Sequence, residues 1–291
     1  MALGRRALFA LATSERFERT VRRAPGGEAA AWRAASRYVA GRSSADALVV
    51  AEPILAQGHG VSIDLFGERV ADAQMADRVV AEYVELAAAL PAPPADVWLS
   101  VDLSHLALSA DVTAAADRLA LIAGALPLGR RVQVGAEDAG QTDAILNCVL
   151  NVAGRGLADR LGATVQANLV RSAGDLERLA DAGVHIRLVK GAYVEAAGAL
   201  PYGEATDIAF LRLGARLGER GVPWAAATHD GRLREALLLA QGSLAVEHLL
   251  GVHPDVLDEL RARRLSTRVY VPFGADWFRY WMRRIAESRG A

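Results

Sequence analysis

From residue 60 onward, short apolar runs alternate with longer stretches in which apolar residues recur every three or four positions. The short runs are GVSIDLF (60–66), DVWLSVDL (96–103), RRVQVGAE (130–137), GATVQANL (162–169), VHIRLVKG (184–191), VPWAAATH (222–229), SLAVEHLL (243–250) and STRVYVPF (266–273). Their length and their valine and isoleucine content predict strands. The stretches at 71–90, 111–125, 139–154, 173–181, 205–220, 231–241 and 253–264 carry the helical period. Turn formers precede several strands, as at Gly58-His59-Gly60, Ala182-Gly183 and Gly221-Val222-Pro223. Upstream, 5–23 and 27–41 predict two helices broken at Pro25-Gly26-Gly27, and 44–57 predicts a third. A last helix, DWFRYWMRRIAES over 276–288, follows Pro272 and Gly274 and has Asp276 as a capping residue type.

Strands alternating with helices pair in parallel through right-handed crossovers. Eight such units predict an α/β chain folded as a (βα)8 TIM-like barrel rather than a doubly wound sheet. No GxGxxG follows the first strand, which counts against a dinucleotide-binding Rossmann half. The expected organisation is an N-terminal helical arm over 1–43 and a barrel over 44–291.

Composition narrows the classes further. At 291 residues, 52% hydrophobic and 23% charged, the chain is long enough to bury a large core. A net charge of −1 supplies no field favouring nucleic acid or an anionic membrane. The single cysteine, Cys148, rules out an intrachain disulfide and a thiolate zinc site, and fits a cytoplasmic location. The early run LFALAT is too short for a signal peptide, and no stretch approaches the ~18 apolar residues of a membrane span. Peripheral association with a membrane surface stays open.

Candidate chemistry collects where a barrel places it, at the C-terminal ends of strands. Asp64, Asp102 with Ser104 and His105, Glu137 with Asp138, Gln166 with Asn168, Thr228 with His229 and Asp230, Glu247 with His248, and Tyr270 all lie there. That coincidence predicts an enzyme rather than a scaffold. In RLVKGAYVE (187–195), Arg187 and Lys190 interrupt an apolar strand, and buried cations need anionic partners. Gly191 allows close backbone approach, Ala192 leaves room for a flat ligand, and Tyr193 can form a wall. ATHD (227–230) suits either a ligand contact or a helix cap. On the last helix, Tyr280, Arg283, Arg284 and Glu287 share one face. The two guanidiniums there suit either an anion clamp or an ordinary solvated helix end.

RLVKGAY, ATHD, RVYVPFG and YWMRRIAE, in this order, resemble the proline dehydrogenase family, flavoenzymes of proline catabolism. SIDLFGE (62–68) and VQAN (165–168) resemble two further motifs of that family, and the likeness covers about 45–290. The family includes monofunctional bacterial members and the corresponding domain of proline utilization A. The resemblance implies a distorted barrel with its final helix over the mouth, an FAD cofactor, and oxidation of L-proline to Δ1-pyrroline-5-carboxylate. It also implies electrons passed to a membrane quinone. Arg187 would lie near the flavin N5, with Gln166, Lys190, Gly191, Ala192, Tyr193, Thr228 and His229 around the cofactor. Arg283 and Arg284 would clamp the substrate carboxylate, and the resemblance places Tyr270, Tyr280 and Leu249 around the ring. Glu68 and Glu287 would pair with arginines, Glu68 as part of a gate.

Two positions depart from the family pattern. Where the second strand ends in lysine in a motif like SxKLS, this chain has SVDLS with Asp102; where the third has an aspartate, it has Gly135. A carboxylate at ~4 Å from a substrate carboxylate costs on the order of 4 kcal/mol at an effective dielectric near 20 unless it is paired. The alternatives are a rebuilt local partnership, a different cyclic secondary amine as substrate, or a catalytically impaired flavin-binding relative. Glu247 and His248 also stand where the family usually has glutamine and a smaller or apolar residue.

Overall fold

The computed structural model describes residues 14–288 apart from 68, 194 and 196. Its strands are β1 (Gly60–Leu65), β2 (Val97–Val101), β3 (Val132–Val134), β4 (Leu161–Gln166), β5 (His185–Val189), β6 (Trp224–Ala227), β7 (Ala245–Leu249) and β8 (Thr267–Phe273). All pair in parallel in chain order and close into a barrel, with Ser62 opposite Tyr270 where β1 meets β8. Around the barrel run α3 (Ser44–Ala56), α4 (Ala73–Ala89), α5 (Val112–Ala125), α6 (Thr142–Val152), α7 (Ser172–Asp181), α8 (Glu204–Arg220), α9 (Gly231–Gln241) and α10 (Pro254–Ala262). Helices α1 (Glu15–Arg23) and α2 (Gly27–Ala35) precede them and α11 (Trp277–Ser288) follows. The expected (βα)8 architecture is present. None of the described helices is long and apolar enough to cross a membrane.

Alternation along the strands separates two environments. Val61, Ile63, Leu99, Val132, Val134, Ile186, Leu188, Val246 and Val271 are fully buried with Tyr83, Leu119, Leu176 and Leu217 in the main core. Burying each such side chain contributes roughly 1.5–3 kcal/mol. The intervening positions meet across the barrel axis and are largely polar. Arg187 of β5 reaches Glu247 of β7 and Ser62 of β1, while Arg268 of β8 lies over the Trp98 ring of β2 at 3.4 Å. A barrel interior is ordinarily filled by branched apolar side chains. Here hydrogen-bonded and charged groups fill much of it, each needing a partner.

The second helix is shorter than its sequence pattern predicts, ending at Ala35 rather than near 41. The residues beyond it are used elsewhere. Ala40 N–H donates to the Pro272 carbonyl at 2.8 Å, and Gly274 N–H donates to the Gly41 carbonyl at 3.0 Å. This segment therefore extends along the end of β8 instead of continuing the helix. Residues 1–13, which include the start of the expected 5–23 helix, lie outside the described residues.

The arm and the last helix share a second core beyond the barrel end. Trp277, Phe278, Tyr280 and Met282 of α11 are buried with Ala31 and Ala35 of α2, and with Val39 and Phe66. Trp32 meets Trp277 edge-on at 5.0 Å, Phe17 lies 6.1 Å from Phe278, and Arg279 pairs with Glu18 at 3.5 Å. Phe66 follows β1 and touches Tyr280 edge-on at 5.1 Å, which seats α11 at the C-terminal mouth.

Candidate active site

The charged centre of the mouth is an ion pair. Arg187 Nε donates to Glu247 Oε2 at 2.6 Å, and Nη2 lies 3.4 Å from Ser62 Oγ. Both residues of the pair are buried. Glu247 Oε1 has no hydrogen-bond partner among the described residues. Arg187 therefore brings no net charge of its own to the site, because Glu247 offsets it. Sequence reasoning noted both residues but not their union. The available signal was that each sits on the inward-facing position of its strand, where an isolated charge is too costly to leave unpaired.

Beside it, Tyr270 of β8 donates its hydroxyl to Asp64 Oδ2 at 2.6 Å, and the Tyr83 hydroxyl lies 3.5 Å from Oδ1. Asp64 is buried, and the loss of hydration pushes its carboxyl up to about 7, against the opposing effects of the Tyr270 hydrogen bond and Arg187. Tyr270 stacks on Tyr280 of α11 with ring centroids 6.2 Å apart. The Arg284 guanidinium lies 4.8 Å from the Tyr280 ring, and Arg283 lies 5.9 Å from Phe66. His229 Nε2 accepts the Leu249 N–H at 3.1 Å, and the ring meets His248 at 4.7 Å. Burial first, and then the charges of His248 and Arg284, hold His229 down to about 3. The structure thus brings Tyr270, Tyr280, Arg284, Leu249 and His229 together. Glu68 and the Glu287 side chain lie outside the described residues.

The residues expected around a flavin fall on the neighbouring strand ends. Gln166 is buried at the end of β4 and donates to the Glu137 carbonyl at 2.8 Å. Gly191 has φ +107°, and a β-carbon there would meet Asn168 Oδ1 at 2.0 Å, so only glycine fits. Asn168 Oδ1 is itself buried with no hydrogen-bond partner among the described residues. The β6 run Ala225-Ala226-Ala227 offers little bulk. An orphaned acceptor, a glycine cradle and small strand-end residues fit a flat heteroaromatic ring with hydrogen-bonding edges. Ala192 and Tyr193 continue the same loop.

Two expected cofactor residues also serve the local fold. Lys190 Nζ lies 2.5 Å from Asp207 Oδ1 at the start of α8 and 3.7 Å from Asp230 at the start of α9. Asp230 caps α9 through the Arg232 and Leu233 N–H groups, and Thr228 Oγ1 accepts the Asp230 N–H at 3.1 Å. For Asp230 and Thr228 the helix-cap reading of ATHD describes the contacts made.

Asp102 and Gly135 form one unit. A β-carbon built on Gly135 would lie 1.9 Å from Asp102 Oδ1, so the β2 carboxylate occupies the space directly over the β3 glycine. A carboxylate therefore remains between these strands although its parent strand differs from the family pattern. Gly135→Ala is expected to cost about 1–3 kcal/mol through overpacking. The penalty should largely vanish in an Asp102→Ser background, as a denaturant double-mutant cycle would record. Additive losses would mean that the two positions do not meet.

Acid should destabilise the fold through its buried imidazoles. Burial holds His185, His229 and His248 at about 2, 3 and 4, below the ordinary 6.5. Below pH 6.5 the unfolded chain takes up protons that the folded chain refuses, so this stability is lost as pH falls. Asp64, raised to about 7, acts oppositely and contributes stability that is lost as pH rises from 3.8 through 7. Near pH ~5.5 unfolding should take up about two protons net, and Tm should fall on acidification. A Tm that stays level from pH ~7 to ~5 would contradict the neutral, buried state of these rings.

Comparison with known proteins places this geometry. A family model described as proline dehydrogenase matches residues 47–291. The chain is 30% identical over 269 residues to proline dehydrogenase of Deinococcus radiodurans, covering 88% of this chain and 87% of that one. It is 31% identical over 266 residues to proline dehydrogenase 1 of Bacillus subtilis strain 168, covering 87% and 86%. Among solved structures, proline utilization A from Bdellovibrio bacteriovorus, inactivated by N-propargylglycine, superposes with a TM-score of 0.78 at 19% identity. Proline utilization A from Bradyrhizobium japonicum, as the D779Y mutant, gives 0.76 at 20%. These cover 87% and 88% of this chain, which spans about a third of their length (32% and 31%), and the likeness is one of fold.

Proposed function

The chain belongs to the proline dehydrogenase family, and from that premise we propose that it binds FAD and oxidises L-proline to Δ1-pyrroline-5-carboxylate, with a quinone as electron acceptor. The observation that carries this reading is the seating of α11. Its Tyr280 stacks on Tyr270 of the barrel, and Arg284 lies beside that ring, so a cation overhangs an aromatic-walled mouth. A five-membered ring bearing one carboxylate suits that arrangement.

Arg283 and Arg284 hold the carboxylate by charge-assisted hydrogen bonds. Tyr270, Tyr280 and Leu249 enclose the ring and exclude water. FAD, when bound, supplies the acceptor for the hydride leaving the ring carbon next to nitrogen. Gln166, Lys190, Gly191, Ala192, Tyr193, Thr228 and His229 would hold it, with the Asn168 acceptor available to a ring N–H and Arg187 among the residues lining the same mouth. The protein's part is orientation and electrostatics. A quinone acceptor resides in a membrane, so on this reading the protein has access to a membrane surface.

A second reading has its own observation. Asp102 over Gly135 and buried Asp64 put two carboxylates at the barrel mouth, a charge pattern suited to a cyclic secondary amine without a carboxylate. A panel of L-proline, N-methylproline, pipecolate and pyrrolidine, assayed with a quinone analogue, separates the two. The first reading expects L-proline to give the highest kcat/KM. A preference for pyrrolidine would favour the second.

A further inference from the structure

Hydride loss from the carbon next to nitrogen requires a lone pair on that nitrogen, yet a cyclic secondary amine is protonated in neutral water. A proton must leave the amine before or as the hydride does. Arg283 and Arg284 favour its departure by like-charge proximity but, being cations, cannot receive it. A proton that leaves within the site therefore goes to another group at the mouth.

The geometry points to Asp64 as that acceptor, reached through the Tyr270 hydroxyl. This rests on the reading of the protein as an amine-oxidising flavoenzyme. Tyr270 spends its only O–H proton on Asp64 Oδ2 at 2.6 Å, which leaves its oxygen lone pairs to accept from a donor. Tyr280 of α11 stacks on the Tyr270 ring and Arg284 lies beside Tyr280, the groups among which the proposed function puts the substrate ring. Asp64 is buried, so it reaches the site only through a neighbour.

The exchange balances without any other reactant. The protonated amine gives its proton to the Tyr270 oxygen as the Tyr270 O–H proton passes to the Asp64 carboxylate. The amine ends neutral, Asp64 ends as a carboxylic acid, and Tyr270 is unchanged. Tyr270 does not need to ionise, consistent with burial and the nearby Asp64 charge raising its phenol well above the ordinary value. Burial also lifts Asp64 to about 7, which matches an acceptor working at neutral pH.

The groups facing Asp64 set its charge. From β5, Arg187 favours the carboxylate, but it is already paired with Glu247. From α4, Tyr83 offers a hydroxyl, and Glu82 on the same helix adds negative potential there. From β2, Ser100 hydrogen-bonds the carboxylate, and Asp102 adds negative potential at both Tyr83 and Tyr270. From α11, Tyr280 stacks on Tyr270 and adds to the potential at that phenol. Asp64 is a positioning and proton-accepting residue behind a group that touches substrate.

The test compares the flavin-loaded protein with Asp64→Asn and Tyr270→Phe across pH under anaerobic conditions, following flavin bleaching by L-proline. The unsubstituted protein should show a rising limb centred near 7. Asp64→Asn should lower the rate at neutral pH by about 100-fold or more, a general-base loss. Its limb should move toward the amine's own pKa, so that the variants converge in alkali. Tyr270→Phe should behave the same way, which guards against misfolding of one variant. Infrared difference spectra give a readout apart from turnover. L-Proline added to the dithionite-reduced protein should create the carbonyl stretch of a protonated carboxylic acid, absent in Asp64→Asn. Rate losses equal at every pH, or a stretch that persists in Asp64→Asn, would overturn the relay. Absence of bleaching in the unsubstituted protein at any pH would instead remove the amine-oxidising reading on which it rests.

Discussion

Glu247→Ala is expected to destabilise the protein by about 3–5 kcal/mol, because it strands the Arg187 guanidinium in the barrel. Among the described residues Glu247 offers Arg187 its one ion pair, at 2.6 Å, and both side chains are under a tenth exposed. Ser62 Oγ at 3.4 Å cannot replace a counter-ion. The double variant Arg187→Met/Glu247→Leu should recover much of that loss, since removing both charges leaves no uncompensated ion. Urea unfolding of the single and double variants measures this directly. A Glu247→Ala loss below about 1 kcal/mol would mean that water already solvates the pair. Glu247→Gln keeps the shape while freeing the Arg187 charge. In the flavin-loaded protein it should raise the reduction potential, because an unopposed cation favours the reduced anion.

Arg284→Met should raise KM for L-proline about 100-fold while flavin absorbance is retained. A hydrogen bond to a charged group contributes about 1.5–3 kcal/mol, and removing one partner of an ion pair costs more. Methionine keeps an unbranched apolar stem and removes the charged fork that lies beside the Tyr280 ring. Because Arg284 also presses on the His229 potential, the variant should let His229 take up a proton at higher pH. Loss of flavin in place of the KM change would assign Arg284 to the cofactor.

The barrel was legible because strand and helix periods differ so plainly between 60 and 273. Every predicted strand is present, and the errors lie at ends such as 36–41, where pairing with β8 overrides helical propensity. The site was legible by position only. That polar residues gather at strand ends follows from the fold. Which of them pair does not, because Arg187 and Glu247 lie 60 residues apart and meet across the barrel axis. Asp64 and Tyr270 lie 206 apart and meet only because β1 and β8 close. The Asp102 substitution showed as a change of sign in sequence. Its position over Gly135 could be seen only once the two strands were in register. The two arginines of the last helix are visible in the sequence, but the Trp32–Trp277 packing that seats the helix depends on the arm helices.

The most direct test of the central claim is anaerobic mixing of the flavin-loaded protein with L-proline. The flavin absorbance should bleach, with release of Δ1-pyrroline-5-carboxylate in equal amount. A flavin that stays oxidised with L-proline yet bleaches with dithionite would contradict it.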